Sequence, residues 1–331
     1  MRLSILSKSN AEKAARLATY SFSSFLGLDD SRIQPRWLEE IVDVLGQPGG
    51  GGLLVEEGEI TIGIVVWCLL PWESKILGRQ MSTLRVLSVD DQSPDREAYF
   101  DCLLKAALDS ASQNCNEFLL CKMSGLDDEK ASALIKNGFE RMDTLADFVC
   151  ALSQERSLGL QQKGVQGGFE LRLATLADVD SLAKVARASF ANHFGRFHSD
   201  RRIGPEQATR IYEEWIRSCA SGWADWIILA VKDTQIAGYS AWKKPSSLDL
   251  RHNIQLGHYS IAGIHPDFFG KGLFTTLTRT GMELMQGHAL WIEGPTHIDN
   301  QPVQRAYEKL GWKRVGTQTS FHKWLTAGKI D

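Results

Sequence analysis

The sequence has no long apolar run, no cysteine pair at metal-binding spacing and no excess of positive charge, and each absence removes a class of function. Its longest strongly apolar stretch, Ile62 to Leu70, falls far short of the about 20 residues a membrane-spanning helix requires. Met1 to Asn10 contains no apolar segment of signal-peptide length, so a cytoplasmic location with no membrane partner is expected. The cysteines at Cys68, Cys102, Cys115, Cys121, Cys150 and Cys219 form no CxxC pair, and the eight histidines form no HExxH-like cluster. Reduced thiols and no bound metal are therefore expected. A net charge of -3 gives no general attraction for nucleic acid. The short basic pairs Arg201-Arg202 and Lys243-Lys244 read as solvated surface.

What is present points to two domains. The chain has 331 residues, 43% of them hydrophobic and 23% charged, as in soluble globular proteins of about two ordinary domains. Ser153 to Gly168, with Gln161, Gln162, Gly164, Gly167 and Gly168, has linker chemistry. The expected division is 1–152, a linker at 153–168, and 169–331. Gly49 to Gly52 reads as a loop entering a strand at Leu53-Leu54-Val55.

The two halves repeat one plan. Lys136-Asn137-Gly138-Phe139 matches Lys309-Leu310-Gly311-Trp312, 173 residues later (136 to 309). Ile62 to Trp67 matches Ala237 to Trp242, 175 residues later (63 to 238 for the glycine). Strand patterns at 83–89 and 259–264, helix patterns at 98–112 and 273–287, and strand patterns at 118–122 and 289–293 follow in step. A helix pattern and a final strand pattern close each half, at 129–136 and 145–151 and again at 302–309 and 317–325. The pattern is that of a tandem duplication within the α/β class.

The richest chemistry lies in Ile261-Ala262-Gly263-Ile264-His265-Pro266-Asp267-Phe268-Phe269-Gly270-Lys271-Gly272-Leu273. An apolar strand runs to a Gly-x-Gly turn that opens a helix. Glycines permit close approach of the backbone to a ligand. The helix start offers unpaired N–H groups and a positive dipole end, suited to a pyrophosphate, and Lys271 adds charge at its lip. A plain strand-to-helix turn has the same appearance, so specificity comes from the next segment. That segment is Asn300-Gln301-Pro302-Val303-Gln304-Arg305-Ala306-Tyr307-Glu308-Lys309-Leu310-Gly311-Trp312.

Together these segments resemble the GNAT N-acetyltransferases, which pair an [Arg/Gln]-x-x-Gly-x-[Gly/Ala] loop with Asn-x-x-Ala-x-x-x-Tyr-x-Lys-x-Gly-[Phe/Trp]. The resemblance implies two tandem GNAT domains, each a mixed, mostly antiparallel twisted sheet flanked by helices. It implies acetyl-CoA as cosubstrate, held by Ile264, Phe269, Gly270, Lys271, Gly272, Leu273 and Asn300. Tyr307 would protonate the departing thiolate, as a phenol of pKa near 10 can at pH 7. Asp267 stands where the family has Arg or Gln, and Val303 where it has Ala. The first half has Asp90-Asp91-Gln92-Ser93-Pro94-Asp95-Arg96-Glu97 at the loop, without glycine, and Leu134 at the place of Tyr307. It reads as a degenerate copy.

A narrower likeness concerns the acceptor. Trp72-Glu73-Ser74 with Gly78, and later Ala188-Ser189-Phe190 and Tyr212-Glu213-Glu214-Trp215-Ile216, resemble stretches of TDP-fucosamine N-acetyltransferases. By that resemblance Phe190, Arg196, Tyr212 and Trp215 line a pocket for a nucleotide-linked amino sugar, with arginine on phosphate and aromatics stacked on base or sugar. At helical spacing the same aromatics also suit a core. His258 and Glu293, at strands flanking the expected cleft, are the candidates for the base that takes the amine proton. The acceptor is a small-molecule amine in this reading, and another metabolite or a peptide amine is the alternative. A non-catalytic module binding acetyl-CoA or a nucleotide is a third reading, and a homodimer is expected as a partner arrangement in any of them.

Overall fold

The computed structural model describes residues 1–153 and 168–325. Apart from its two end residues, the linker expected at 153–168 lies outside them. The chain divides into two units, Met1–Thr144 with Gly316–Ile330, and Leu145–Val315. In the first, β1 (Arg2–Ile5), β2 (Gly51–Glu57), β3 (Ile60–Leu69), β4 (Met81–Val89) and β5 (Phe118–Ser124) lie side by side in chain order. In the second, residues 145–151 of β6 (Glu140–Ala151) border the sheet; β7 (Glu170–Leu173) to β10 form a meander with β8 (Trp226–Lys232) and β9 (Gln235–Lys243). β10 is Leu256–Ile264 and β11 is Trp291–His297, and β12 (Lys313–Trp324) is the last described strand. Within each unit, pairing is antiparallel except between β4 and β5 and between β10 and β11. This is the expected α/β class with mostly antiparallel sheets flanked by helices. Among the described residues no helix is long and apolar enough to cross a membrane.

The duplication is exact over long stretches. β2, β3 and β4 recur as β8, β9 and β10 with one offset of 175 (51 to 226, 60 to 235, 81 to 256). β5 and β6 recur as β11 and β12 with an offset of 173 (118 to 291, 140 to 313). One feature was not readable from a cut at the linker. Residues 145–151 of β6 follow the first unit's last helix, yet they pair with β11 in the second unit. Residues 318–324 of β12 pair with β5 in the first. A cut in the linker therefore parts each sheet from one of its strands.

Element ends differ from the sequence pattern where glycine geometry decides them. Gly138 and Gly311 take left-handed φ values of 78° and 85°. They stop the preceding helices, and β6 and β12 start two residues later, at 140 and 313, ahead of the expected 145 and 317. Gly51 and Gly52 belong to β2 and not to a loop. Side chains there would meet Trp67 and Leu6, at 2.7 Å and 2.8 Å from an added Cβ. β11 starts at Trp291, not 289, because its register is set by Leu256 opposite Trp291.

The second unit's core fixes the helix that matters most. The helix Leu273–Met285 buries Leu273, Leu277 and Met285 against Ile228, Trp242, Tyr259 and Ile292. Trp242 and Tyr259 stack at 4.2 Å with rings 5° from parallel, a contact worth about 0.5–1.5 kcal/mol beyond area burial. Gly281 lets the helix close on Trp242: a Cβ there would lie 1.9 Å from the indole. Gly281→Ala is expected to lower stability by about 3 kcal/mol through overpacking, read as a fall in Tm. An unchanged Tm would show that the indole moves freely.

Candidate active site

The second unit's sheet opens at one point. On β10, Tyr259 pairs with Trp242 and Ile261 with Ala241, so Ser260 is an extra, bulged residue. On its other edge β10 pairs with β11 only through Leu256–Trp291, Gly257–Ile292 and His258–Glu293. Both strands run on, to Ile264 and His297. They part after His258 and Glu293 and leave a slot. Along it the facing backbone edge of β10 is no longer paired by β11, an arrangement a polar ligand satisfies.

The glycine loop follows the far end of β10. Gly270 and Gly272 both have φ of 74°, and a Cβ at either would meet nothing within 4 Å. The first bond into the helix is from Thr276 N–H to Gly272 O, at 3.1 Å. The N–H groups from Gly270 to Thr275 thus have no carbonyl partner among the described residues. Combined with the dipole of a 13-residue helix, they form a cradle for anionic oxygens. Leu273 is buried and Ile264 packs on the core, while Phe269 and Lys271 are exposed beside the loop. Asp267 points outward, 74% exposed, with its carboxylate 3.5 Å from His265 Nδ1. Its charge is directed to that histidine.

Tyr307 lies on the helix Gln301–Lys309. It is 3% exposed and stacks on Trp312 at 4.5 Å, with Phe148, Phe274 and Tyr259 around it. Its hydroxyl has no hydrogen-bond partner among the described residues. It rests against β11, where a Cβ on Gly294 would stand 2.9 Å from the oxygen. Gly294 immediately follows the last β10–β11 pair, so the phenol stands at the start of the slot. Burial pushes its pKa well above the ordinary value, with Tyr259 and the Glu293 charge adding to this. It is neutral throughout the physiological range. Asn300 starts that helix, and its amide donates to Thr296 Oγ1 at 3.2 Å, tying the helix to β11.

His258 and Glu293 are bonded to each other, His258 Nδ1 to Glu293 Oε1 at 2.7 Å. Neighbouring residues on a strand face opposite ways. Tyr259 and Ile292 belong to the core that holds Tyr307; His258 and Glu293 face the other side. Burial alone would lower the His258 pKa, but the bond to Glu293, its charge and that of Asp249 outweigh burial, with Lys243 opposing, and the pKa rises above the ordinary value. A neutral phenol and a histidine–carboxylate pair therefore flank the slot on opposite faces.

On the histidine's face the four acceptor candidates have defined contacts. Phe190 and Tyr212 stack on each other at 4.2 Å. Trp215 donates its indole N–H to Ser260 Oγ on the bulge, at 3.2 Å, and Tyr212 is buried. The Arg196 guanidinium lies 3.8 Å from the centre of the Phe197 ring. These side chains are thus tied into the unit's packing, and only Phe190, Arg196 and Trp215 keep partial exposure.

Sequence reading passed over Ser260, Gly294, His193, Phe194 and His297. Ser260 and Gly294 carry no signal of their own, since a bulge and a contact with a distant hydroxyl are properties of the sheet. The last three sit in a loop and at a strand end with no periodic pattern.

The first unit has the same parting of strands with different contents. β4 and β5 pair only over Met81–Leu84 and Phe118–Cys121, and Arg85 is the bulged residue. Here Lys130 Nζ donates to Leu87 O at 2.7 Å; Leu87 and Lys130 correspond to Ala262 and Val303 by the offsets of 175 and 173. Arg96 is engaged by Asp91, Asp127 and Glu129 at 3.2, 2.7 and 2.5 Å. Leu134, fully buried, holds the phenol's place. Arg85 pairs with Glu40 where Ser260 meets Trp215, so the bulge-to-helix tie survives in altered chemistry.

Residues 169–313 match the family model described as an acetyltransferase (GNAT) domain. A curated relative, mycothiol acetyltransferase from Acidothermus cellulolyticus, is 28% identical over 164 residues, and the match covers 46% of this chain and 46% of that protein. The chain thus spans about half of that relative's length. A tandem GNAT protein from the clavulanic acid biosynthesis pathway superposes with a TM-score of 0.57 over 99% of both chains, at 13% identity. A GCN5-related N-acetyltransferase from Sphaerobacter thermophilus gives 0.62 over 99% of this chain and 96% of its own, at 11% identity. At those identities the likeness is one of fold, and it runs through both units. The parted strands, the glycine turn and the buried phenol all lie inside the segment, residues 169–313, that matches the acetyltransferase (GNAT) domain.

Proposed function

We propose that the second unit transfers an acetyl group from acetyl-CoA to a primary amine. The observation that carries this reading is the slot itself, with open amides at one end and an unpartnered, neutral phenol at its start. The pyrophosphate sits on Gly270 to Leu273 and the thioester enters between β10 and β11. The amine arrives on the His258 face, gives its proton to the His258–Glu293 pair and attacks the carbonyl carbon. A backbone N–H on the free edge of β10 stabilises the oxyanion, and as the C–S bond breaks Tyr307 protonates the sulfur. Direct transfer in a ternary complex follows, with no covalent enzyme intermediate.

Calorimetry tests the donor half. One acetyl-CoA per chain is expected, and Gly272→Val is expected to weaken binding by at least about tenfold, because φ of 74° strains a branched residue. Lys130→Ala is expected to leave the stoichiometry at one, since the acidic loop at 90–97 still repels a diphosphate. Two donors per chain, or none, would overturn the assignment.

For the acceptor, a nucleotide-linked amino sugar is supported by the resemblance around Phe190 and Tyr212–Trp215. The name of the mycothiol acetyltransferase supports a second acceptor class. Coenzyme A release, followed with TDP-amino sugars, simple amino sugars and peptide amines, ranks these classes. Donor uptake with no release from any amine would favour the non-catalytic binding module.

A further inference from the structure

The histidine's face of the slot is crossed by a short piece of chain. Ser189, at the end of the helix Val179–Phe190, donates its hydroxyl to Ile264 O at 2.8 Å, which pins it to the last residue of β10. Five residues on, the Phe194 ring stands edge-on to His297 at 4.4 Å, on the last residue of β11. His297 is four residues after Glu293 on the same strand, so it shares the Glu293 face. Residues 189–194 thus reach from one diverging strand end to the other. His193 lies along this span, 5.3 Å from Phe194 and edge-on to Tyr212 at 5.2 Å. The next residue is Gly195, where a Cβ would come within 2.7 Å of Tyr212 Oη.

We infer that Phe194, braced on His297, is a specificity-determining residue that keeps water from the thioester and admits an amine. This inference rests on the acetyltransferase reading of the same slot. A thioester held open to solvent can lose its acetyl group to water: a water oxygen attacks the carbonyl carbon, the C–S bond breaks, and acetate and coenzyme A leave. In the proposed transfer the nucleophile comes from the His258 face, opposite Tyr307, and residues 189–194, here called the strap, cross that face. Phe194 is 45% exposed, so its loss opens no buried core.

The test needs no acceptor. Coenzyme A release is followed with acetyl-CoA and water alone, in the full chain, for the wild type and for Phe194→Ala, Phe194→Leu and Gly195→Ala. Phe194→Ala is expected to raise the hydrolysis rate about tenfold or more, with acetyl-CoA affinity by calorimetry and Tm both unchanged. Phe194→Leu is expected to stay near the wild type, because it still covers the opening. Gly195→Ala, which moves the strap against Tyr212, is expected to raise hydrolysis as well. Hydrolysis within about twofold of wild type in both alanine variants, with donor binding intact, would overturn the inference and leave the acetyltransferase reading standing. Absence of acetyl-CoA uptake by the wild type would remove both.

Discussion

Tyr307→Phe is expected to lower kcat by about 10²- to 10⁴-fold, the range in which a positioned general acid contributes, and to leave acetyl-CoA affinity unchanged. The variant is informative because it removes one oxygen and little else. Phenylalanine keeps the stack on Trp312 and the contacts with Phe148 and Phe274. The hydroxyl has no hydrogen-bond partner among the described residues, so its removal breaks no bond within the fold. Tm is therefore expected to stay near the wild-type value as activity falls. A structural tyrosine predicts something else: little change in rate, or a loss of rate together with stability. A variant that turns over within about threefold of the wild type would assign the thiolate's proton to another source.

The glycine turn and the tyrosine beside the slot were legible because each is a local pattern: two glycines before a helix, and a tyrosine at fixed spacing from Gly311 and Trp312. The repeat was legible for the same reason, since short Gly-aromatic motifs recur at nearly one offset. What the pattern did not contain is what the sheet creates. His258 and Glu293 each looked like a separate base candidate; only the parallel register opposite one another makes them a bonded pair. The exchange of β6 and β12 between units leaves no local trace, because a strand reads the same whichever neighbour it pairs with. Phe190 and Tyr212 sat on the line between pocket and core, and they stack on each other while one of them keeps an outer edge.

The His258–Glu293 pair makes the second large prediction. His258→Ala is expected to cost about 10²- to 10⁴-fold in kcat/KM, as for loss of a general base. Glu293→Gln separates orientation from charge. The amide oxygen still accepts from Nδ1–H, so the ring stays in place, but the anion that favours the imidazolium is gone. The His258 pKa, raised in the wild type chiefly by Glu293 against the pull of burial, then falls. A base works when unprotonated, so kcat/KM rises with pH through this pKa. In Glu293→Gln that acidic limb is expected to move to lower pH, with a lower plateau because a weaker base drives the transfer less. Stability runs the opposite way in the wild type. A group whose folded pKa is raised stabilises fully below its unfolded value of about 6.5 and loses that contribution as pH rises through the folded value. The same titration that switches the enzyme on thus weakens the fold, and Glu293→Gln uncouples the two. An acidic limb that stays where it was, alongside a His258 imidazole resonance that shifts its titration in NMR, would show that the pair is structural and that another group takes the amine's proton.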